Sequence, residues 1–262
     1  MTYAKKSLGQ NFLMHQKTAD RIADASGVGI GDIVLEIGPG TGKLTRALLA
    51  RAGKVIAVEA DAALAEGLRE TFAAEIGEGK LELVVGDIRA FDEKGIKGSY
   101  TLVANIPYYI TGEIIRTFLE SAHKPASMTL LVQKEVAERI ARPAKGKESI
   151  LSIAVKAYGA PKYQFTVPRG AFAPAPNVDS AVLSILCIRQ DAFSSLKEEE
   201  RFFAVLHAGF AHKRKLLVRN LEAVAAPETA RIALEACGIE PNARAEDVSA
   251  ALWRDITARL GA

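Results

Sequence analysis

The sequence predicts an α/β fold built on a mostly parallel sheet, followed by a small all-α domain. Short apolar runs alternate with helical segments from residue 16 to residue 141, which is the pattern of a parallel sheet covered by helices on both faces. Two later apolar runs, at 163–167 and 181–188, predict strands that close the sheet, with an antiparallel closing strand. After Gln190 the pattern is helical to the end, so we predict domains of residues 1–190 and 191–262.

Each element follows from a local pattern. The first helix has Ala19, Ile22 and Ala23 at helical spacing and ends before Gly27. Runs of branched apolar residues predict the strands 33–37, 54–58, 81–85, 100–104 and 128–132. The predicted helices are 16–26, 43–51, 62–72, 113–121 and 134–141 in the first domain, and 197–212, 214–224, 227–237 and 246–260 in the second.

Composition limits the class of protein. No apolar run approaches the roughly 20 residues that span a bilayer, and the polar start lacks the apolar core of a signal peptide, so we expect a cytoplasmic protein without membrane association. The two cysteines, Cys187 and Cys237, lie in apolar settings and are expected to be buried free thiols. The four histidines lack metal-ligand spacing, so no metal site is predicted.

Basic residues are concentrated in two segments, although the net charge is only +3. Residues 134–169 contain eight Lys or Arg and three Glu, and His212-Lys213-Arg214-Lys215 is followed one turn later by Arg219. Such clusters form either solvated helix faces or contacts with a phosphate backbone. Charge alone leaves both interpretations open.

A glycine turn joins the first predicted strand to the next helix. Its glycines fall at positions 38, 40 and 42, so it is not the dinucleotide pattern G-x-G-x-x-G. Glycines let the backbone approach a ligand closely, and a helix N-terminus exposes N–H groups. A lone glycine turn is weak evidence, because such a turn can also be structural.

Three polar side chains stand at the ends of the next strands. Glu59 follows Gly38 by 21 residues, a spacing that suits a carboxylate bound to ribose hydroxyls, whereas nearby Asp61 is expected to cap a helix. Asp87 can accept from an adenine amine, although a lone Asp here is more often a cap or turn residue. Asn105 directly follows the fourth strand.

Together these residues predict a nucleoside-containing cofactor lying across the edge of the sheet. Because the turn lacks the pyrophosphate fingerprint, the pattern favours S-adenosylmethionine, a nucleoside without phosphate, over NAD.

Residues 105–109, Asn-Ile-Pro-Tyr-Tyr, predict an acceptor site beside that cofactor. The Asn105 side chain offers an oxygen acceptor, and Pro107 favours backbone carbonyls that point into the loop. Tyr108 adds a flat face for stacking. An acceptor pair beside a stacking face suits an exocyclic amine on a planar ring.

Eight ordered segments carry a resemblance to a known family. They are residues 6–13 (Lys-Ser-Leu-Gly-Gln-Asn-Phe-Leu), 35–45, 85–87, 105–108, 133–139, 172–180, 213–215 with 219–221, and 244–247. On these segments the chain resembles the bacterial small-subunit rRNA adenine dimethyltransferases (the KsgA/RsmA family). The resemblance implies a Rossmann-like class I methyltransferase sheet. It also implies N6,N6-dimethylation of two adjacent adenosines in a hairpin loop near the 3′ end of 16S rRNA, with a role in small-subunit biogenesis.

The resemblance also implies roles for residues and partners. The cofactor pattern of the family maps onto Gln10, Asn11, Leu13, Gly38, Gly40, Glu59, Asp87, Ile88 and Asn105. The acceptor chemistry maps onto Asn105, Pro107, Tyr108 and Phe172, with Phe172 expected to cover the second face of the target base or else to be simple core. RNA contacts are expected from Arg142, Lys145, Lys147, Lys213, Arg214, Lys215 and Arg219. The expected partner is the immature 30S subunit, and the expected state is a monomer.

Two positions depart from the family pattern. Tyr109 stands where the family often has Asn, and Asn177 stands where it has Lys. Both departures bear on substrate fit, and we expect Tyr109 to be a packing residue rather than a catalytic one. Two other functions stay open: a nucleic-acid-binding factor of the same fold without methylation, and a dinucleotide-dependent oxidoreductase.

Overall fold

The computed structural model describes residues 10–143 and 146–261, which form two compact units. The sheet unit comprises the described residues up to Ala137 together with Ala160–Ile188. The helical unit comprises the described residues of Glu138–Gly159 and those from Arg189 onward. No helix among the described residues is both long enough and apolar enough to cross a bilayer.

The sheet unit contains a seven-stranded sheet and a small two-stranded one. In chain order the strands are β1 Phe12–Leu13, β2 Ile33–Ile37, β3 Lys54–Glu59, β4 Leu81–Val85, β5 Tyr100–Asn105, β6 Ser127–Gln133, β7 Ala160–Val167, β8 Phe172–Ala173 and β9 Ser180–Leu186. The large sheet has the order β4-β3-β2-β5-β6-β9-β7. The first five strands of that order are parallel, whereas β9 is antiparallel to both β6 and β7, so the predicted α/β architecture is confirmed.

Helices occur in both units. They are α1 Gln16–Ser26, α2 Lys43–Leu49, α3 Ala62–Thr71, α4 Ala73–Gly77, α5 Thr111–Glu120, α6 Lys134–Ala141, α7 Ile150–Tyr158, α8 Leu196–Phe210, α9 Leu217–Leu221, α10 Pro227–Ala236 and α11 Ala250–Arg259. Local signals set their ends: Gly27, at φ 70°, ends α1 in the left-handed conformation, and the Ser149 side chain caps α7.

The core of the sheet unit forms where α1 and α2 cover one face of the sheet. Ile22 and Leu48 are fully buried in the same cluster as Val34, Val55 and Val103, which lie on neighbouring strands. Because successive residues of a strand face opposite sides of the sheet, the residues that alternate with these valines face the other side. The strands are thereby fixed in register, and their carboxyl ends meet at one edge.

The structure departs from the expected layout between residues 138 and 159. Residues of this segment lie in the helical unit, whereas a boundary near 190 alone would place them with the sheet. The Glu148 amide donates to the Glu246 carbonyl at 2.8 Å, and Lys147 is ion-paired with Glu246 and Asp247. These contacts attach the residues just before the unpredicted helix α7 to the 3-10 turn Ala245–Asp247, which precedes α11.

The expectation that both cysteines are buried is wrong. Cys187 is exposed, and Cys237 is only partly covered; both are free thiols. Cys187 follows the last residue of β9 at a φ of 53°, where the chain turns away from the sheet. Cys237 lies at the C-cap of α10, where the helix ends.

Candidate active site

A cavity opens at the carboxyl ends of β2, β3, β4 and β5, four adjacent parallel strands. It is lined by Gln10, Asn11, Phe12, Ile37, Gly38, Gly40, Val58, Glu59, Ala60, Gly86, Asp87, Ile88, Arg89, Asn105, Ile106, Pro107, Tyr108, Tyr109 and Ile110. The structure therefore brings together the residues that the sequence predicts for cofactor and acceptor, except Leu13 and Phe172.

The glycine turn forms one wall of this cavity. Gly38 and Gly40 have φ values of 66° and 59°, a backbone conformation that side chains with a Cβ rarely adopt. A Cβ on Gly40 would lie 3.0 Å from the Phe12 ring. The turn therefore leaves no room for a side chain between the backbone and the N-terminal segment.

Glu59 is buried at the end of β3 and is held by two backbone amides. Its Oε2 accepts from the Gly40 amide at 3.0 Å, and its Oε1 accepts from the Asp61 amide at 2.9 Å. Asp61 itself caps α3 by accepting from the Ala63 amide, so its expected role as a helix cap is confirmed. The Glu59 carboxylate is thus fixed in place, and its remaining lone pairs are available to a ligand.

Asp87 follows β4 and is paired with Arg89, a cavity residue that the sequence analysis did not single out. Both oxygens of Asp87 accept from the Arg89 side chain, and Oδ1 also accepts from the Arg89 amide at 2.9 Å. Hydrogen bonds from Arg89 lower the pKa of Asp87 from 3.8 to about 2. Asp87 is therefore an acceptor that already has a cationic partner.

Asn105, the last residue of β5, has its side-chain amide oriented by the N-terminal segment. Its Nδ2 donates to the Asn11 carbonyl at 3.0 Å. Because a backbone carbonyl can only accept, this contact fixes which end of the amide is nitrogen. Oδ1 is left as the acceptor, and no partner for it occurs within residues 10–143 and 146–261.

Pro107 and Tyr108 lie beside that acceptor. The Pro107 carbonyl accepts from the Ile110 amide at 3.2 Å, which leaves it one lone pair. The Tyr108 ring is half-buried, and its hydroxyl is hydrogen-bonded to the Ser180 hydroxyl at 2.7 Å. Burial raises the pKa of Tyr108, so the phenol stays neutral and its ring is held by Ser180. Ser180 belongs to a segment that carries the resemblance, yet no sequence signal marks its partner.

Tyr109 does not pack into the fold, so that expectation is wrong. Its side chain is 67% exposed, although it lines the cavity beside half-buried Tyr108. The 3-10 turn Tyr108–Ile110 explains the difference, because consecutive residues of such a turn point about 120° apart.

Leu13 and Phe172 lie in the core rather than in the cavity lining. They are paired between β1 and β8, and their exposed fractions are only 5% and 4%. Phe172 belongs to the hydrophobic core cluster, which favours its alternative role as a core residue. The short β1–β8 sheet instead holds Gln10, Asn11 and Phe12 at the cavity.

Glu36 is a buried acid that the sequence analysis did not single out. It lies in β2 and is fully buried, and neither carboxylate oxygen has a hydrogen-bond partner among the described residues. Burial raises the pKa of Glu36 from 4.5 to about 8. Nearby Thr45 lowers this pKa and the Glu59 carboxylate raises it, each by less than burial does. Glu36 is therefore mainly protonated at neutral pH.

The expected RNA-binding residues of the helical unit differ in how far their charges are compensated. Lys147 is ion-paired with Glu246 and Asp247, and Arg219 with Glu222. Lys213, Arg214 and Lys215 are exposed, and in the described part of the chain none of them forms an ion pair. Arg142 lies just after α6, and Lys145 lies outside the described residues.

The cavity fits a nucleoside without phosphate better than a dinucleotide. Glu59 and Asp87 place two carboxylates beside the glycine turn, and the Gly40 amide donates to Glu59 instead of facing an anion. Carboxylates repel a pyrophosphate but accept hydrogen bonds from ribose hydroxyls and an amino group. The residues present therefore fit S-adenosylmethionine.

Comparisons with known proteins agree with this assignment. The model of the family described as "Ribosomal RNA adenine dimethylase" matches residues 1–261. A protein of Dehalococcoides mccartyi strain CBDB1 named "Ribosomal RNA small subunit methyltransferase A" is 40% identical over 259 residues, which are 97% of this chain and 87% of that protein. A protein of the same name from Fusobacterium nucleatum is 38% identical and covers 94% of this chain and 93% of its own length.

Two solved structures share the fold. The crystal structure of the 23S rRNA methyltransferase ErmE has a TM-score of 0.79 at 28% identity, over 96% of this chain and all of that chain. A dimethyladenosine transferase from Plasmodium falciparum has a TM-score of 0.76 at 24% identity, over 94% of this chain and 95% of that chain. The second likeness concerns the fold alone.

Proposed function

Since the chain belongs to the ribosomal RNA adenine dimethylase family, we propose that the cavity at the strand ends is its active site. The reaction is the S-adenosylmethionine-dependent dimethylation of adenosine N6 in small-subunit rRNA, and we assign it to two adjacent adenosines near the 3′ end. The observation that carries the site assignment is the orientation of Asn105, whose amide oxygen is left as an acceptor by the contact of its nitrogen with Asn11.

The cofactor is assigned to the part of the cavity formed by β2, β3 and β4. S-adenosylmethionine supplies an electrophilic methyl group when it is bound. Gly38 and Gly40 allow close approach of the ligand, Glu59 accepts from ribose hydroxyls, and Asp87 accepts from the adenine amine. Ile88 is buried beside Asp87 and covers the adenine with an apolar surface.

Asn105 and Pro107 prepare the amine that is methylated. The lone pair of adenine N6 is delocalised into the ring and is a weak nucleophile. The two N–H groups of this amine donate hydrogen bonds to Asn105 Oδ1 and to the free lone pair of the Pro107 carbonyl oxygen. These bonds localise the lone pair of the nitrogen and fix its direction. No strong general base is required, because the proton becomes acidic once nitrogen carries the new methyl group.

Tyr108 holds the target base, and Ser180 holds Tyr108. A base must leave its stack before it can enter a cavity, and the half-buried Tyr108 ring offers a new stacking partner. The hydrogen bond of its hydroxyl to Ser180 restricts rotation of the ring. We therefore treat Ser180 as a positioning residue.

We assign RNA binding to the exposed cations of the helical unit, with the 213–215 loop first. Its three cations have no carboxylate partner among the described residues, so they can neutralise phosphates without breaking an ion pair. Lys147 and Arg219 would first have to leave Glu246, Asp247 and Glu222. Arg142 and Lys145 complete the RNA-binding assignment.

We further propose that the protein is a monomer and that it acts in the cytoplasm on the immature 30S subunit.

The decisive experiment compares Asn105→Ala with a surface control, Asn242→Ala. Methyl transfer to small subunits lacking the modification is measured by mass spectrometry of the rRNA nucleosides, and cofactor affinity by isothermal titration. We expect Asn105→Ala to lower transfer at least about 100-fold while cofactor affinity falls by about tenfold or less. Asn242→Ala, at an exposed position of the helical unit, should match the wild type.

Two results would contradict the proposal. Transfer by Asn105→Ala at the wild-type rate would remove Asn105 from the chemistry. A wild-type chain that binds rRNA but not S-adenosylmethionine would favour the alternative of a binding factor without methylation.

A further inference from the structure

The exposed Tyr109 ring lines the cavity, and the proposed function gives it no role. Phe12 packs against the glycine turn, and Tyr108 is tied to Ser180. Tyr109 is 67% exposed at the same cavity. An exposed aromatic ring at a binding cavity offers a flat, poorly hydrated apolar face on which a ligand can stack.

The backbone keeps the two tyrosine rings apart. Tyr108 and Tyr109 are consecutive in a 3-10 turn that is closed by the hydrogen bond from the Ile110 amide to the Pro107 carbonyl. With three residues per turn, their side chains diverge by about 120°. When Tyr108 faces a base in the cavity, Tyr109 therefore presents its ring at the rim.

The charges around Tyr109 argue for a flat ligand rather than an anion. The Arg89 guanidinium interacts electrostatically with Tyr109, but it is paired with Asp87 and also interacts with Glu113. Two carboxylates thus compensate one guanidinium, so the rim has no surplus positive charge for a phosphate. Stacking of a nucleobase needs no such charge and works with any base.

We propose that Tyr109 stacks on the nucleobase next to the adenosine that Tyr108 holds in the cavity. The identity of that base rests on the proposed function, since a target adenosine in single-stranded RNA brings its covalent neighbour to the cavity rim. The rings of the consecutive residues Tyr108 and Tyr109 thus hold two consecutive bases, the target adenine inside the cavity and its neighbour at the cavity rim. Tyr109 thereby fixes the splayed backbone while either adenosine is modified.

The test uses hairpin RNAs that carry 2-aminopurine at the nucleotide before or after the target adenosine, because stacking quenches its fluorescence. The wild type is compared with Tyr109→Phe, which keeps the ring, and with Tyr109→Asn, which removes it. We expect quenching with the wild type and Tyr109→Phe for at least one RNA, and its loss with Tyr109→Asn. RNA affinity should fall by about tenfold in the Asn variant, with cofactor affinity unchanged.

The outcomes separate stacking from other roles. Unaltered quenching and RNA affinity in Tyr109→Asn would overturn the proposal, as would a parallel loss of cofactor affinity, which would place the ring against the cofactor. A Tyr109→Phe variant that behaves like Tyr109→Asn would show that the hydroxyl is used rather than the ring. Because binding and fluorescence are read without turnover, absence of methyl transfer by the wild type would refute the proposed function and leave this test intact.

Discussion

The Arg89 guanidinium closes on both carboxylate oxygens of Asp87, with Nε 3.0 Å from Oδ1 and 3.1 Å from Oδ2. The acceptor that we assign to the adenine amine of the cofactor is therefore already engaged. Arg89 itself is largely exposed, and its positive charge lies at a cavity that we assign to a cationic cofactor. Arg89 thus occupies the acceptor and neutralises its negative charge, and both effects oppose the binding of a cationic cofactor.

Replacing Arg89 by Ala should strengthen cofactor binding. The change frees Asp87 as an acceptor and leaves its negative charge uncompensated. Because exposed ion pairs contribute little, we expect a gain of about two- to fivefold. The pKa of Asp87 should rise from about 2 towards its ordinary value of 3.8, because its hydrogen bonds from Arg89 are lost. Isothermal titration measures the affinity, and NMR of the carboxyl carbons measures the pKa.

The matched control is Arg69→Ala, which breaks an exposed ion pair with Glu66 on α3. It should leave cofactor affinity unchanged. Weaker binding by Arg89→Ala would mean that the guanidinium contacts the bound cofactor, and Arg89 would then belong to the cofactor site.

Glu36 should make stability depend on pH in a way that Glu36→Gln removes. Burial raises its pKa from 4.5 to about 8, so between these pH values the folded chain binds more protons than the unfolded chain. The contribution of Glu36 to the free energy of unfolding therefore falls as pH rises from 4.5 to about 8, by up to about 1.4 kcal/mol per pH unit. Above that window it is constant.

Urea unfolding of the wild type and Glu36→Gln at pH 5, 6, 7 and 8, followed by circular dichroism, measures this dependence. Other titrating groups cancel in the difference between the two proteins, which should favour the wild type most at pH 5 and decline towards pH 8. Parallel curves would mean that Glu36 keeps an ordinary pKa despite its burial.

Gly40→Ala should damage the cavity, whereas Gly67→Ala should not. Gly40 has a φ of 59°, and its added Cβ would lie 3.0 Å from the Phe12 ring. A Cβ in the left-handed region costs roughly 1–2 kcal/mol, and the shift would disturb the amide that holds Glu59. We expect lower stability and at least about tenfold weaker cofactor binding in isothermal titration.

Gly67 tests whether the effect belongs to the turn. It lies within α3, and a Cβ there meets no atom within 4 Å, so Gly67→Ala should stabilise the chain by roughly 0.5–1 kcal/mol. If both substitutions changed cofactor binding alike, the loss would not be specific to the glycine turn.

The sequence predicts the cavity because parallel strands end at one edge of a sheet. Gly38, Glu59, Asp87 and Asn105 each follow or end an apolar run, and strand alternation with helices is enough to align those ends. The placement of these residues needs no side-chain detail. It follows from the order of elements.

The positions of Phe172 and Leu13 could not be predicted in the same way. β1 and β8 have only two residues each, too few for a period, and their pairing joins distant parts of the chain. The orientation of Tyr109 depends on a 3-10 turn, and the engagement of Asp87 depends on the rotamer of Arg89. Such features depend on tertiary packing and on side-chain rotamers, and neither produces a local pattern that can be recognised in a single sequence.

Asn220 positions the basic loop that we assign to RNA. It is buried in α9, and its Nδ2 donates to the carbonyls of Gly209, at 2.7 Å, and His212, at 3.1 Å. These bonds fix the start of the loop that carries Lys213 and Arg214. The backbone at the start of the loop is therefore restrained, so that the positions of Lys213 and Arg214 are defined.

Replacing Lys213 and Arg214 together by Ala should weaken RNA binding and reduce its dependence on salt. Each cation that neutralises a phosphate releases counterions, so losing two should lower the slope of log affinity against log salt by roughly two. Lys147→Ala is the contrast, because that ammonium is already paired with Glu246 and Asp247 and should change the slope by much less. Affinity for rRNA hairpins, measured from about 50 to about 200 mM salt, gives both slopes. If the effect of Lys147→Ala were about half that of the double change, it would be equal per cation removed. Charge compensation would then not decide which cations contact RNA, and the assignment of the loop would fail.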